Sequence, residues 1–372
     1  MKTKFTFTII AGLLGLFNYL QAQTVSIPDA AFKNTLIDHF PEIDTNEDDE
    51  IQVSEAEAFS GYLDLSTSIH GDISELTGIE AFTNITSTFI FGHTITSADL
   101  SANTSLTKIY YQSNNTTSLN LSGLTSLDTL IITGNPLTVI DLSTNTALRK
   151  LTLREGDFAA LDLSNNTALI DADIRNNGLT SVNMGTNTAL TDLIAEDNLL
   201  TSLDVSGLTS LGKMAISLNP ITSIDLSANS SLYDLSAIDC ELTSLDLSQN
   251  TSLTTLKCFS NEEMTSLDLR NGNNSAITYI DARNTNLTCI AVNDVTYAEN
   301  NAAWYEPLNT VYATNCSSNG FITTWQTDDG QITIPTTGSG YNYDITWTNL
   351  DNPGVGEGSV SNVSGDYTIS GL

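Results

Sequence analysis

The chain has 372 residues, with 12 basic side chains against 44 acidic ones and a formal net charge of −32. A field of that sign makes nucleic acid and anionic membrane poor partners for the molecule taken whole. No stretch beyond residue 22 is apolar enough to span a bilayer, so no transmembrane segment is expected after it.

In chain order, residues 1–22 read as a secretory signal: Lys2 and Lys4, an apolar run from Phe5 to Leu20, then Gln21-Ala22. No cysteine follows the run, which disfavours a lipid anchor. Loss of this segment leaves 10 basic against 44 acidic side chains, and the mature chain is expected to be secreted or held at the cell surface. Residues 23–75 are expected to form a small helical N-terminal cap. Phe32, Leu36, Ile37 and Phe40 have helical apolar spacing, and Ala56 to Phe59 can open a second helix. Between them, Asp44, Asn46, Asp48, Gln52 and Glu55 fall at positions 1, 3, 5, 9 and 12 of a loop, with the Glu50 carbonyl at position 7. That spacing matches the EF-hand loop, which wraps oxygen donors around a hard cation, and makes calcium the candidate cofactor. Asp49 replaces the glycine expected at the sharp turn, where aspartate tolerates left-handed backbone better than most residues. The competing reading is an acidic loop with chance spacing.

Residues 76–288 are repetitive. From Ala98-Asp99-Leu100 to Leu245-Asp246-Leu247, an apolar residue, Asp or Asn, and a second apolar residue return every 21 residues. Looser copies follow at Leu267-Asp268-Leu269 and Ile290-Ala291-Val292. A period of that size means stacked units, each too small to bury its own apolar face. In phase runs Leu-x-x-Leu-x-Leu, as at Leu148/Leu151/Leu153, whose alternation suits a strand buried on one face. Asn114, Asn135, Asn177, Asn198, Asn219 and Asn261 recur after it, with Cys240 in the same slot and Gly156 in another copy. An amide at one place per rung suits a ladder bonding the backbone of neighbouring turns. Cys240 in an Asn slot and Cys258 in a Leu slot read as buried small residues, out of register for a mutual bridge. The aspartates of the first triplet, among them Asp141, Asp162, Asp204, Asp225, Asp246 and Asp268, point outward. They either accept bonds from neighbouring Ser, Thr and backbone groups or line up to bind cations.

Leu-x-x-Leu-x-Leu-x-x-Asn/Cys is the leucine-rich repeat consensus. With its Ser-Leu-Asp-Leu-Ser-x-Asn-Thr second half, the chain resembles surface repeat proteins of Bacteroidetes-type bacteria and, more distantly, the listerial internalins. The resemblance implies a mainly β repeat solenoid, a disulfide C-terminal cap over 289–319 and export through the outer membrane. In such a cap Cys289 and Cys316 are the expected pair, with two free thiols as the alternative. Beyond it, the short β-type runs Phe321–Trp325, Gln331–Pro335 and Tyr341–Trp347 make 320–372 look like the start of a β-sandwich-like module with too few strands to close.

An enzyme is not expected. His39, His70 and His93 lie at no metal-ligand spacing, and no nucleophile elbow, phosphate loop or zinc-helix motif is present. Most aspartates follow the repeat period, so no special carboxylate pair stands out. The expected function is binding, in adhesion or in glycan or protein capture, on the concave face of the solenoid. The alternative is a structural spacer that displays a downstream domain. Residues flanking the last two Leu positions collect Lys108, Lys150, Arg154, Arg175, Lys213, Lys257 and Arg283 on that face, with Tyr110, Tyr279 and Phe259. This gathering suggests an anionic ligand, an acidic polysaccharide or carboxylate-rich protein surface. Cross-rung pairing with Asp171, Asp173, Asp192 and Glu196 is the competing expectation.

Overall fold

The computed structural model describes residues 23–66 and 70–316, and the backbone of four further strands at 331–334, 343–347, 358–363 and 367–370. The expected signal over 1–22 and the run Phe321–Trp325 lie outside the described residues. The chain divides into two units, Met1–Cys316 and Ser317–Leu372.

The first unit is a parallel β-solenoid. Twelve strands form one sheet in chain order: Gly61–Leu65, Ile85–Phe91, Lys108–Gln112, Thr129–Thr133, Lys150–Arg154, Asp171–Asp173, Asp192–Ile194, Lys213–Ala215, Asp234–Ser236, Thr255–Lys257, Tyr279–Asp281 and Trp304–Tyr305. They are numbered here as rungs 1 to 12. Register keeps the repeat in phase, with Leu130 beside Leu151 and Leu193 beside Met214. The Leu positions of this alternation point inward and are buried along the stack, which removes apolar surface that no single turn could cover alone. The apolar-Asp-apolar triplets form short parallel ladders elsewhere on the turn, as between Ser244–Asp246 and Ser266–Asp268. These are the features of a leucine-rich-repeat solenoid.

The ladder extends past 76–288 at both ends. Rung 1 lies within the span read as the N-terminal cap, and rung 12 within that read as the C-terminal cap. Irregular spacing hid both: 25 residues separate Tyr62 from its partner Ser87, and 24 separate Ile280 from Trp304. Helix α1 (Ala30–His39) starts at Asp29, whose carboxylate accepts from Phe32 N at 2.9 Å and from Ser74 N at 2.8 Å. That bond ties the helix to the first turn, while Phe32 and Leu36 close the end of the core. At the far end, the Trp304 indole donates to the Ile277 carbonyl at 3.0 Å. Cys289 and Cys316 are joined, with Cα atoms 5.7 Å apart, whereas Cys240 and Cys258 are free and buried.

Two columns of asparagine line the interior. In the first, Asn219 Nδ2 donates to the carbonyls of Ala195, Ile216 and Ser217 at 2.9, 2.9 and 3.3 Å, and its Oδ1 accepts from Leu200 N. Cys240 fills the same slot with its thiol 3.5 Å from the Ile216 carbonyl. The second column, including Asn103, Asn145, Asn166, Asn187, Asn229 and Asn250, is equally buried. Asn166 Nδ2, for instance, meets the carbonyls of Leu142 and Asn145, both at 3.0 Å. The residue before each first-column slot turns the chain in left-handed backbone at φ near 55°: Ser113, Gly134, Glu155, Asn176, Asp197, Leu218, Asp239, Ser260 and Asn284. The outward aspartates cap their own turns. Asp141, Asp162, Asp204, Asp225 and Asp246 each accept from the backbone N–H two residues on at 2.9 Å. Those bonds are the local pairing anticipated as the alternative to cation binding.

The second unit contains two antiparallel pairs, Gln331–Ile334 with Tyr367–Ser370 and Tyr343–Trp347 with Gly358–Val363.

Candidate functional site

The outward face of the long sheet presents three residue columns. The rung register sets Lys108, Lys150, Asp171, Asp192, Lys213 and Asp234 in one column. The neighbouring column carries Asp64, Phe89, Tyr110, Ile131, Thr152 and Asp173, and further on Lys257, Asp281 and Tyr305. Arg154, Arg175, Glu196, Phe259 and Arg283 follow along the third edge at the repeat spacing. The seven basic residues read from the sequence therefore do share the face, as do seven carboxylates: Asp64, Asp171, Asp173, Asp192, Glu196, Asp234 and Asp281.

The tightest cationic group is neutralised. Lys150 lies 3.1 Å from Asp171. Asp173 accepts from Arg154 Nη2 and, at 2.8 Å, from Arg175 Nη2, while Arg175 Nη1 stands 3.8 Å from Glu196. Burial pushes the Asp173 carboxyl up, but hydrogen bonds from Arg175 and Arg154 outweigh it, and the group lies below the usual carboxylate range. Arg283 is bound to Asp281 at 2.6 Å and stacks over the Tyr305 ring at 5.1 Å. Lys108, Lys213 and Lys257 have no carboxylate within ion-pair distance among the described residues. Lys213 nonetheless stands in register between Asp192 and Asp234, so the cross-rung pairing expected as the competitor to an anionic site dominates this region. Because the folded-state carboxyl is lowered, Asp173 contributes stability above the ordinary carboxylate range and loses it as pH falls through its folded value. Asp173→Asn is expected to cost about 2 kcal/mol at neutral pH, discounted for the partly exposed arginines, and to flatten the loss of stability below about pH 4. Urea midpoints measured across pH check both.

Of the aromatic cluster over rungs 1 to 3, the sequence placed Tyr110 on this face but not Tyr62, Phe89 or Phe91. Tyr62 and Phe91 are 46% and 42% exposed. Phe89 stacks with Phe91 at 6.0 Å and meets Tyr110 edge-on at 6.1 Å. The middle rungs carry mostly Lys, Arg, Asp and Thr in the same slots. A smaller group at the other end joins Tyr279 and Tyr305 at 5.9 Å, beneath Arg283. A signal did exist: the Phe89-Ile90-Phe91 and Tyr110-Tyr111 runs put aromatics in outward slots where the repeat has none. Phe89 and Phe91 lay at the irregular edge of the period, outside the aligned copies that placed Tyr110.

The acidic loop 44–55 joins the two cap helices. Helix α2 (Val53–Ala58) begins at loop position 10, and Asp49 takes the left-handed turn at φ 58°. Its donors, however, are satisfied internally. Asp44 accepts from the backbone N–H groups of Asp48 and Asp49, and Glu55 from Thr45 and Gln52. The Gln52 amide donates to both Asp48 oxygens at 3.1 and 3.0 Å, and Asn46 Nδ2 donates to Asp48 and to Gln52 Oε1. The Glu50 side chain turns away to Lys33 at 2.8 Å. Among the described residues no three His, Cys, Asp or Glu side chains converge as a metal cluster. The Asn46 and Gln52 amides would both have to turn for their oxygens to face a cation.

No protein-family model and no curated protein matches this chain. Solved structures do. The functional domain of InlJ from Listeria monocytogenes aligns over 91% of this chain and 92% of its own at 21% identity, with a TM-score of 0.38. An internalin, InlF, from the same species aligns over 77% and 96% at 18% identity and TM-score 0.43. TLR13 in complex with ssRNA13 aligns over 63% and 38% at 17% identity and TM-score 0.49. At such identities the likeness concerns fold alone. Among the described residues no helix is long and apolar enough to cross a membrane.

Proposed function

We propose that this is a non-catalytic, exported binding protein that captures a protein partner on the outward face of its long sheet. The cluster of exposed Tyr62 and Phe91 with half-buried Phe89 and Tyr110 carries the reading. The Phe89–Tyr110 pair across rungs 2 and 3 stabilises the sheet only modestly, the exposure of Tyr62 and Phe91 is not needed for it, and aromatic anchors are typical of contact hot spots. A spacer needs no such departure from the repeat. The same face holds seven cations against seven carboxylates, so it offers no surplus positive charge to an acidic polysaccharide. A protein surface of mixed charge fits it better. Export rests on the apolar segment at Phe5–Leu20, and adhesion or capture at the cell surface is the role consistent with it. An array of glycans and matrix proteins, probed with the mature chain and with Phe91→Ser/Tyr110→Ser, tests the reading. The expected result is protein hits that the double variant loses. Hits confined to acidic glycans, or hits indifferent to the variant, would overturn it.

We further propose that calcium binds the loop through Asp44, Asn46, Asp48, the Glu50 carbonyl, Gln52 and Glu55 once the two amides turn. Oxygen-only donor sets of this kind suit that ion. Binding would rigidify the cap that closes the core at Phe32 and Leu36. Titration calorimetry is expected to give a calcium heat that Asp44→Ala abolishes. No heat in the unaltered protein would dismiss it.

A further inference from the structure

Leu218 is out of place twice. It occupies the left-handed turn at φ 59°, where the other rungs place Ser, Gly, Glu, Asn or Asp. Leucine has no short polar group to stabilise that backbone, and half of its surface faces solvent. Leu199 breaks the repeat in the same way on the preceding rung: it is 56% exposed in a slot that holds Asn115, Gly178, Glu241 and Glu262 on other turns. Backbone bonds from Asn198 N to the Leu218 carbonyl, Leu218 N to the Ile238 carbonyl and Asp239 N to the Phe259 carbonyl place these segments side by side. Leu199, Leu218, Ile238 and Phe259 thus mark an apolar strip along the lip of the sheet, across rungs 7 to 10. Both leucines stand about half in solvent, and a strained residue in a slot that other rungs fill with polar residues or glycine points to function.

Charge identifies what covers the strip. Asp197 and Asp239 stand beside Leu218, and Glu241 lies on the next turn. Among the described residues none of these three has a Lys or Arg at ion-pair distance. The rest of the molecule is strongly acidic, so an acidic protein or anionic lipid surface would be repelled. We infer that the lip docks a segment of a partner protein in which apolar side chains alternate with lysine or arginine. The apolar groups would cover Leu199 and Leu218, and the cations would meet Asp197, Asp239 and Glu241. The inference stands on the lip residues and does not depend on the aromatic cluster at rungs 1 to 3.

The probes are a synthetic Leu/Lys peptide and a Ser/Lys peptide of the same length and charge, with fluorescence anisotropy at physiological salt as the readout. Leu199→Asn/Leu218→Asn is the informative variant. Asn115, Asn176 and Asn284 already fill these slots elsewhere, so the variant folds, and relief of the Leu218 backbone raises its Tm. The unaltered protein is expected to prefer the Leu/Lys peptide at least ten-fold, and the variant to lose that preference while keeping the weak, salt-sensitive affinity for Ser/Lys. Equal affinity of the unaltered protein for both peptides would reduce the effect to bulk charge and overturn the proposal. So would an unchanged preference in the variant. Phe91→Ser separates the two faces: loss of preference there, with none in the leucine variant, would assign the peptide to the aromatic cluster instead.

Discussion

Asn219→Ala is expected to lower the unfolding free energy by about 4 kcal/mol, although it removes no charge and little apolar contact. Asn219 Nδ2 serves three carbonyls and Oδ1 accepts from Leu200 N, all within a buried column. Truncation strands these groups where water does not reach, and each stranded group costs roughly 1–3 kcal/mol. The cost propagates, because a solenoid holds each rung only through its neighbours. The chain carries its own control in Cys240, whose thiol lies 3.5 Å from the Ile216 carbonyl in the equivalent slot. Asn219→Cys is therefore expected to cost clearly less than Asn219→Ala. Urea unfolding followed by circular dichroism measures both, and equal losses would argue that the amide contributes only volume.

Opening the Cys289–Cys316 bridge is expected to cost about 3.5 kcal/mol on the chain-entropy account of a 27-residue loop. The bridge anchors the strand Cys289–Ala291 and the segment that packs Tyr312 against Trp304 of rung 12. Losing it frees the end of the stack, so Cys289→Ser/Cys316→Ser should lower Tm and speed exchange of amides in rungs 11 and 12 before those in the middle. The two remaining thiols do not complicate the result. Burial pushes Cys240 up to about 11 and Cys258 up to about 12, so neither is a thiolate able to exchange at neutral pH. A uniform loss of protection across all rungs would contradict the role as an end clamp.

The regular part of the fold was legible because period, buried Leu and the first Asn column are all one-dimensional signals. The second Asn column was in view as the Asn of Ser-x-Asn-Thr, but nothing in one rung says that its partners are carbonyls 21 and 24 residues back, as for Asn166. Rungs 1 and 12 were lost to irregular spacing. The candidate site residues recur at the repeat spacing, which is legible in one dimension, whereas ion pairing is a matter of register across rungs. Arg154 lies two slots along from Lys150 in sequence, but its partner is Asp173, 19 residues on. The aromatic cluster and the exposed leucines were equally readable as departures from the repeat.

The central claim, that rungs 1 to 3 form a protein-capturing face, is tested most directly by site-specific photo-crosslinking of the chain. A photoreactive phenylalanine analogue placed at Phe91 or Tyr110 should yield the same discrete protein adduct. The analogue at Ser118 or Ser181, exposed on the short ladders, should yield none. Adducts of equal yield from all four positions, or none from Phe91 and Tyr110, would contradict capture on this face and favour a spacer.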